Sequence, residues 1–516
     1  MSAHSRRRFL AGAAALTSGI FIGPLLASEN GAVTRISSTA GGPLPSGVFS
    51  LGVASGEPSA DGVVLWTRLA PRPLEGGGMP PRAVPVRWQI ADDPQFRRIV
   101  ATGEELALPT WGHSVHIEAA GLRPNRPYYY RFHTHGQTSP IGRTHTAPIP
   151  GRESTKLKFA VASCQNWQDG YFTAHEHLAA EQDLNFIAFL GDAIYETKPR
   201  TKAVRRHEGV AEPTTLMEYR NRYAQYRTDP QLQRAHACAP WIMSFDDHEV
   251  DNNWAGSDHT NTARRAAALQ AYYEHMPLRV SAQPFDAYMR MHRRFVFGDL
   301  VSLHMLDTRQ YRTRQPRNLR QALDPQASIL GAQQERWLRE GMSGSPARWN
   351  LIGNQVMWAA CTDSPSCGTD NWDGYRVQRA RILASFRQVR NPVVLTGDRH
   401  ATWVSELRPH FDRPESTPTA IELTTTSISS GGEPRVERFQ RQYAPLFTDN
   451  PHWRYVDNRR GYLLCEASKQ YLRTSLRVVN SVTRQTGSVV NTAAEFIAEC
   501  DRPGITEIST EEGRRT

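Results

Sequence analysis

Leu184-Asn185-Phe186-Ile187-Ala188-Phe189-Leu190-Gly191-Asp192-Ala193-Ile194-Tyr195-Glu196 decides how this chain is to be read. Apart from Asn185, the segment up to Leu190 is apolar and does not alternate, so it predicts a strand over Leu184–Leu190 that is buried on both faces. The strand stops at Gly191, and Asp192, Tyr195 and Glu196 follow within a few residues. In layered α/β sheets the ligand crevice lies beyond the carboxyl ends of the strands. The same grammar recurs along the chain. Lys156–Ser163 runs into Cys164-Gln165, and Trp241–Phe245 into Asp246-Asp247-His248-Glu249-Val250-Asp251-Asn252-Asn253. Trp349–Ile352 runs into Gly353-Asn354-Gln355, and Pro392–Thr396 into Gly397-Asp398-Arg399-His400. Any one of these endings is a weak signal. Five in order, all on the same side of a sheet, form a constellation of metal-capable side chains.

Between the strands the periodicity becomes helical, at Tyr171–Ala180, Leu216–Arg227, Thr262–His275, Gly331–Glu340 and Gln378–Arg390. Phe295–Asp307 predicts a strand pair, and Thr419–Thr425, Tyr462–Ala467 and Leu472–Val482 predict further strands. Alternation of this kind predicts a layered α/β domain over residues 155–490. Upstream the grammar is different. Over residues 47–148, short β-type runs at Val63–Thr67, Val84–Ile90, Ser114–Ile117 and Tyr128–His133 are separated by turns, which predicts an all-β, fibronectin-like sandwich. Leu122-Arg123-Pro124-Asn125-Arg126-Pro127-Tyr128 has the spacing of a tyrosine corner. Residues 28–46 read as a linker and 491–516 as a C-terminal extension.

The chain has 516 residues, with 39% hydrophobic and 22% charged, which excludes a disordered, collagen-like or polytopic membrane protein. Lys and Arg number 61 against 51 Asp and Glu, a formal charge of +10, but the cations are spread out rather than gathered in runs with aromatics between them. Specific nucleic-acid readout is therefore not expected, and some attraction for anionic substrates is. Ser5-Arg6-Arg7-Arg8-Phe9-Leu10 and the apolar, alanine-rich stretch to Ala27 form an export signal over residues 1–27 that resembles a twin-arginine address. The mature protein is expected to be periplasmic or extracellular, without a membrane span, after passage through a twin-arginine translocase. None of the six cysteines forms C-x-x-C, so zinc ribbons, c-type haem and thioredoxin chemistry have no support. Cys361 and Cys367 suit either a disulfide or two free thiols.

The blocks Ser163-Cys164-Gln165, Gly191-Asp192-x-x-Tyr195-Glu196, Asp246-Asp247-His248-Glu249-x-x-Asn252-Asn253, Gly353-Asn354-Gln355-Val356 and Gly397-Asp398-Arg399-His400 resemble those of the PhoD family of alkaline phosphatases. The resemblance covers about Val48 to Ala467. It implies a metallophosphoesterase fold, two mixed β-sheets flanked by helices, similar in layout to purple acid phosphatases, and an N-terminal β-domain. It also implies hydrolysis of phosphate monoesters and diesters, with iron and one or two calcium ions as metals.

Carried over by position, Asp192 takes the place of the carboxylate that bridges two metals. Cys164, Tyr195 and His400 form a thiolate, phenolate and imidazole set suited to Fe³⁺. Cys164 stands where most metallophosphoesterases have an Asp-x-His pair. Asp247, Asn354 and Asp398 supply oxygen to the second metal, and related enzymes have histidines at the places of Asn354 and Asp398. Oxygen in place of imidazole favours Ca²⁺, with Mn²⁺ or Zn²⁺ as alternatives at the centre. His248 is expected to take no metal and to act on the leaving group. Arg309 and Asn253 are expected to bind phosphoryl oxygens, while Asp246 and Asp251 are read as supporting or solvated carboxylates. The expected activity is attack by a metal-activated hydroxide on small-molecule or lipid phosphate esters, with a phospholipase D-type phosphodiesterase as the alternative. An exported redox metalloprotein and a non-catalytic surface binding protein are the remaining classes.

Overall fold

The computed structural model describes residues 42–256, 261–361, 368–432 and 435–510. The export signal of residues 1–27, most of the linker, and Cys367 lie outside the described residues. The expected strand around Leu190 forms at Phe186–Leu190 and is buried throughout. Phe186, Ala188 and Leu190 face one core, while Ile187 and Phe189 face another. That double burial is why the segment is apolar without alternation.

Phe186–Leu190 lies in a ten-stranded sheet whose order is Glu507–Thr510, Val490–Glu499, Tyr471–Val479, Gly461–Ser468, Lys156–Ala162, Phe186–Leu190, Pro240–Ser244, Val53–Gly56, Val63–Arg68 and Ser114–Ala119. Its centre, from Lys156–Ala162 to Pro240–Ser244, is parallel. A second, seven-stranded sheet runs Arg293–Phe297, Val301–Met305, Trp349–Asn354, Pro392–Thr396, Ala420–Thr424, Thr402–Leu407 and Trp453–Asp457. Its centre, from Val301–Met305 to Ala420–Thr424, is also parallel. The two sheets share a core in which Phe186 stacks on Phe159 and Phe297, with ring centroids 4.8 and 4.7 Å apart.

Helices cover both outer faces. Leu216–Arg227 starts with a reciprocal cap between Thr215 and Glu218, and Thr262–His275 is capped by Asn261. Both pack on Ile187 and Phe189. On the other face, Gly331–Ser343 and Arg376–Ser385 bury Leu338, Ile382 and Leu383 against Ile352 and Val394. The expected helix over Gln378–Arg390 thus starts earlier and ends as a 3₁₀ turn at Phe386–Gln388. Helix Pro230–Cys238, too polar to be read from periodicity, is set by its Asp229 cap and the proline at its first position.

The N-terminal β-region differs from the expected separate sandwich. A five-stranded sheet of Val84–Ala91, Ile99–Ala107, Pro127–Thr134, Gln137–Thr138 and Gly142–His145 does pack over a shared core with Val63, Leu65 and Val115. Tyr128 accepts from the Arg123 backbone at 2.9 Å, the expected corner. However, the facing strands belong to the large sheet: Val53–Gly56 pairs in parallel with Pro240–Ser244. A free strand edge needs a partner, and here the layered α/β region supplies it. From Leu44 onward the chain is one compact unit. The supposed C-terminal extension likewise adds Val490–Glu499 and Glu507–Thr510 to the sheet.

Candidate active site and metal centre

All five strand endings meet at the carboxyl ends of the two sheets. Gly191 and Gly397 make this approach possible. A Cβ at Gly191, whose φ is +105°, would lie 2.4 Å from the Asp246 Cβ, and one at Gly397 would lie 3.0 Å from the Leu190 carbonyl oxygen. Main-chain bonds then lock the loops together: Cys164 N–H donates to Gly191 O and Gln165 N–H to Asp192 O, each at 3.1 Å. Cys164, Asp192, Asp398, His400 and Asn253 all adopt the left-handed backbone region, with φ of 58°, 59°, 64°, 52° and 54°. Such conformations in non-glycine residues concentrate at functional sites. Glu249 braces the floor by accepting from Ala193 N–H at 2.6 Å and from Asp246 N–H at 2.9 Å.

Cys164, Asp192 and His400 offer ligand atoms within 4.8 Å of one another, and so do Asp192, Asp247 and His248. Asp192 belongs to both groups, as a bridging carboxylate must. Its Oδ1 is buried with no hydrogen-bond partner. Tyr195 joins the first group: its hydroxyl donates to Asp192 Oδ2 at 2.9 Å and lies 2.9 Å from His400 Nε2. His400 Nδ1 donates to Gly431 O at 2.7 Å, which turns Nε2 inward. Burial pushes the Cys164 thiol and the Asp192 carboxyl well above their ordinary values, with Asp192 and its acidic neighbours adding to the effect. The same burial pushes His400 down to about 4, which keeps its imidazole neutral.

The second group is richer in oxygen. Half-buried Asp398 is pushed up to about 6 by burial and by the nearby Asp370 and Asp247 charges. Asp247 is held well below the usual carboxylate range, because His248 and Arg309 outweigh the opposing effect of burial. Exposed Asn253 places its carboxamide between Asp370 Oδ2 and Asp247 Oδ2, at 3.1 and 3.2 Å, and its own N–H donates to Asp247 Oδ2 at 2.7 Å. Asn253 therefore touches the carboxylates rather than standing free for phosphate. His248 Nδ1 donates to Glu196 Oε2 at 2.7 Å, and its ring packs 4.0 Å from that of Tyr195. Burial lowers His248, but Asp247, Asp192 and Glu196 together raise it well above 6.5.

Two further expectations are corrected. Arg309 does not face a phosphate: it is wholly buried, its Nε donates to Asp246 Oδ1 at 2.6 Å and its Nη1 to Asp370 Oδ1 at 3.0 Å. Nε and Nη1 are taken up by carboxylates and Nη2 lies 3.7 Å from Asp247 Oδ1, so the side chain holds the floor instead of the substrate. Asn354 is also fully buried; its nitrogen donates to Val356 O and Thr396 Oγ1, and its oxygen accepts from Trp372 Nε1 at 3.1 Å. These contacts tie the wall of the site together.

The sequence reading missed Asp370 and the loop Ser427–Gly431, and it gave Glu196 no role. Asp370 sits at no strand end and carries no sequence signal. The loop does carry one, because it ends the strand Ala420–Thr424 as the other blocks end theirs. A cavity of about 570 Å³ opens near Trp349, Pro392 and Ala420, at the starts of these strands and away from the site. Cys361 is disulfide-bonded, while Cys164, Cys238, Cys465 and Cys500 are free thiols. The donor set fits metal: Cys164 and His400 lie in one group, Asp247 and His248 in the other, Asp192 is shared, and its Oδ1 is orphaned.

The sequence profile of the PhoD-like phosphatase family matches residues 159–476, and that of the PhoD-like phosphatase N-terminal domain matches residues 37–148. Alkaline phosphatase D of Bacillus subtilis (strain 168) is 42% identical over 529 residues, which span 98% of this chain and 89% of that protein. A solved structure of PhoD superposes with a TM-score of 0.85 at 42% identity, covering 90% of this chain and 94% of its own. GAP50, the anchor in the inner membrane complex of Plasmodium, reaches a TM-score of only 0.34 at 10% identity over 66% of this chain and 89% of its own.

Proposed function

The chain belongs to the PhoD-like phosphatase family, and on that premise we propose how its site hydrolyses phosphoric esters. It is a phosphohydrolase. We assign Fe³⁺ to Cys164, Tyr195, His400 and Asp192, and Ca²⁺ to the oxygen set of Asp192, Asp247 and Asp398, with Asn253 and Asp370 beside it. Bound there, the ions supply positive charge to the phosphoryl oxygens and acidify water. The observation that carries this reading is Asp192, shared by two ligand groups and left with a buried, unpartnered oxygen.

The chain's own residues do the rest. Asp192 fixes the separation of the two groups. Arg309 keeps Asp246, Asp247 and Asp370 converged despite their mutual repulsion, because its guanidinium lies between them. Glu196 holds His248 by Nδ1, so Nε2 is the atom that delivers a proton to the departing ester oxygen. The substrates we propose are small-molecule or lipid phosphate monoesters and diesters. We further infer that the N-terminal signal directs export through a twin-arginine translocase to the periplasm or medium. Among the described residues no helix is long and apolar enough to cross a membrane.

The test is elemental analysis of native protein together with assay on a chromogenic monoester and a chromogenic diester. Iron and calcium with hydrolysis of either ester supports the assignment. Stoichiometric zinc without iron overturns the metals, and a fully metal-loaded protein inert on both esters overturns the substrates.

A further inference from the structure

The three softer ligand residues, Cys164, Tyr195 and His400, come from three different strand endings. One short loop, Ser427–Gly431, holds all of them. Ser429 and Ser430 N–H groups donate to Cys164 O at 3.4 and 3.2 Å, and Ile428 N–H donates to Ser163 O at 3.0 Å. Gly431 O accepts from His400 Nδ1 at 2.7 Å. Gly431 N–H is tied in turn to Asp169 Oδ2 at 2.7 Å, and Ser429 Oγ donates to Asn166 O at 2.9 Å.

Ser430 does more than hold the backbone. A serine hydroxyl has one proton to give. Its Oγ accepts from Asn166 N–H at 3.0 Å and lies 2.8 Å from the Tyr195 hydroxyl oxygen, toward which it donates. Ser430 is wholly buried, so water does not compete for that proton. Asn166 fills one lone pair, and the proton is left aimed at Tyr195. The Tyr195 hydroxyl at present gives its own proton to Asp192. When Tyr195 ligates as phenolate that proton is gone, and the Ser430 bond remains on the oxygen.

We propose that Ser430 is a positioning residue of the iron-type centre, whose hydroxyl fixes the Tyr195 oxygen and draws electron density from it, setting how strongly it donates to the metal. The proposal rests on the iron assignment above. A hydrogen bond to a ligand oxygen makes that oxygen a poorer donor and fixes where it sits, so such outer partners tune the metal as well as orient its ligands.

The experiment compares purified holo wild type, Ser430→Ala and Ser429→Ala by visible absorption, iron content and competition with a chelator. A ferric phenolate absorbs in the visible by charge transfer from the ligand, and removing the donor raises the phenolate electrons. In Ser430→Ala the band should therefore move to longer wavelength, with iron content and chelator competition showing that the shift belongs to a loaded centre. Ser429→Ala removes a hydroxyl from the same loop that touches no ligand, and should leave the band in place. Equal displacement in both variants makes loop anchoring the cause and overturns the proposal, as does an unmoved band in Ser430→Ala. Wild-type protein without iron or a visible band overturns the metal assignment, and this inference with it; an iron-loaded wild type whose band ignores Ser430 sinks this inference alone.

Discussion

Arg309 Nε donates to Asp246 Oδ1 across 2.6 Å, with both side chains closed off from solvent. Burial and the neighbouring carboxylates push Asp246 well above its ordinary value, and Arg309 opposes them. The pair is thus part of the floor beneath the metal ligands. Removing one partner of such a buried pair typically costs about 3–5 kcal/mol. Arg309→Met should lower the unfolding free energy measured in urea by an amount of that order and reduce bound metal. A stable, metal-replete variant with only a raised KM would restore the phosphate-binding role.

Cys164 and Asp192 should separate the two metal positions. Cys164→Ser is expected to lose most of the iron while keeping calcium in part, because Asp247 and Asp398 do not depend on the thiolate. Asp192→Ala should lose both metals, since both groups share its carboxylate. Elemental analysis of the two variants decides this, and equal loss from both would mean that the groups are not distinct.

His248→Ala should keep both metals and lose more rate on alkyl than on activated aryl phosphates. A good leaving group needs little protonation, whereas general-acid help is worth about 10²–10⁴-fold for a poor one. The measurement is kcat/KM across a leaving-group series with metal content in parallel. Because His248 lies within 4.8 Å of Asp192 and Asp247, loss of a metal would make it a ligand and end the acid role.

Acid should destabilise the fold before it touches most carboxylates. Burial pushes His175, His207 and His304 from 6.5 down to about 3. Between those values the unfolded chain binds protons that the folded one refuses, so stability falls as pH drops below about 6.5. At about 1.4 kcal/mol per pH unit for each group, the three together contribute a slope of up to about 4 kcal/mol per unit. Urea midpoints at pH 7 and 5 should show the decline, and His175→Gln should make it shallower by roughly a third of that slope. Identical slopes for wild type and variant would show that His175 is not a source.

The catalytic region should not fold without the N-terminal strands. A protein of residues 151–516 leaves Pro240–Ser244 without its parallel partner Val53–Gly56. It also removes Glu57, whose carboxylate lies 2.9 Å from Arg293 Nε. An unpaired strand in that position invites aggregation. Soluble, cooperatively unfolding 151–516 would show that the two regions are independent.

The sequence by itself determined the layered sheets and the residues at their ends. Unbroken apolar runs such as Phe186–Leu190 follow from burial on both faces, and a strand that stops at Gly191-Asp192 announces its own boundary. These are local properties, carried by neighbours in the chain. That Cys164, Asp192, Tyr195, Asp247, Asp398 and His400 follow strand ends was legible for that reason, and the family resemblance supplied the roles expected of them. Tertiary structure alone decided what each side chain touches. Arg309 and Asn354 are buried among partners from distant segments, Asp246, Asp370 and Trp372, and nothing near them in sequence says so. The pairing of Val53–Gly56 with Pro240–Ser244 joins residues almost two hundred positions apart, so a β-region that reads as self-contained gives up one of its sheets to the catalytic region. The Ser430 proton finds Tyr195 only because two sheets bring separate strand ends together, and contacts of that range depend on packing rather than on local pattern.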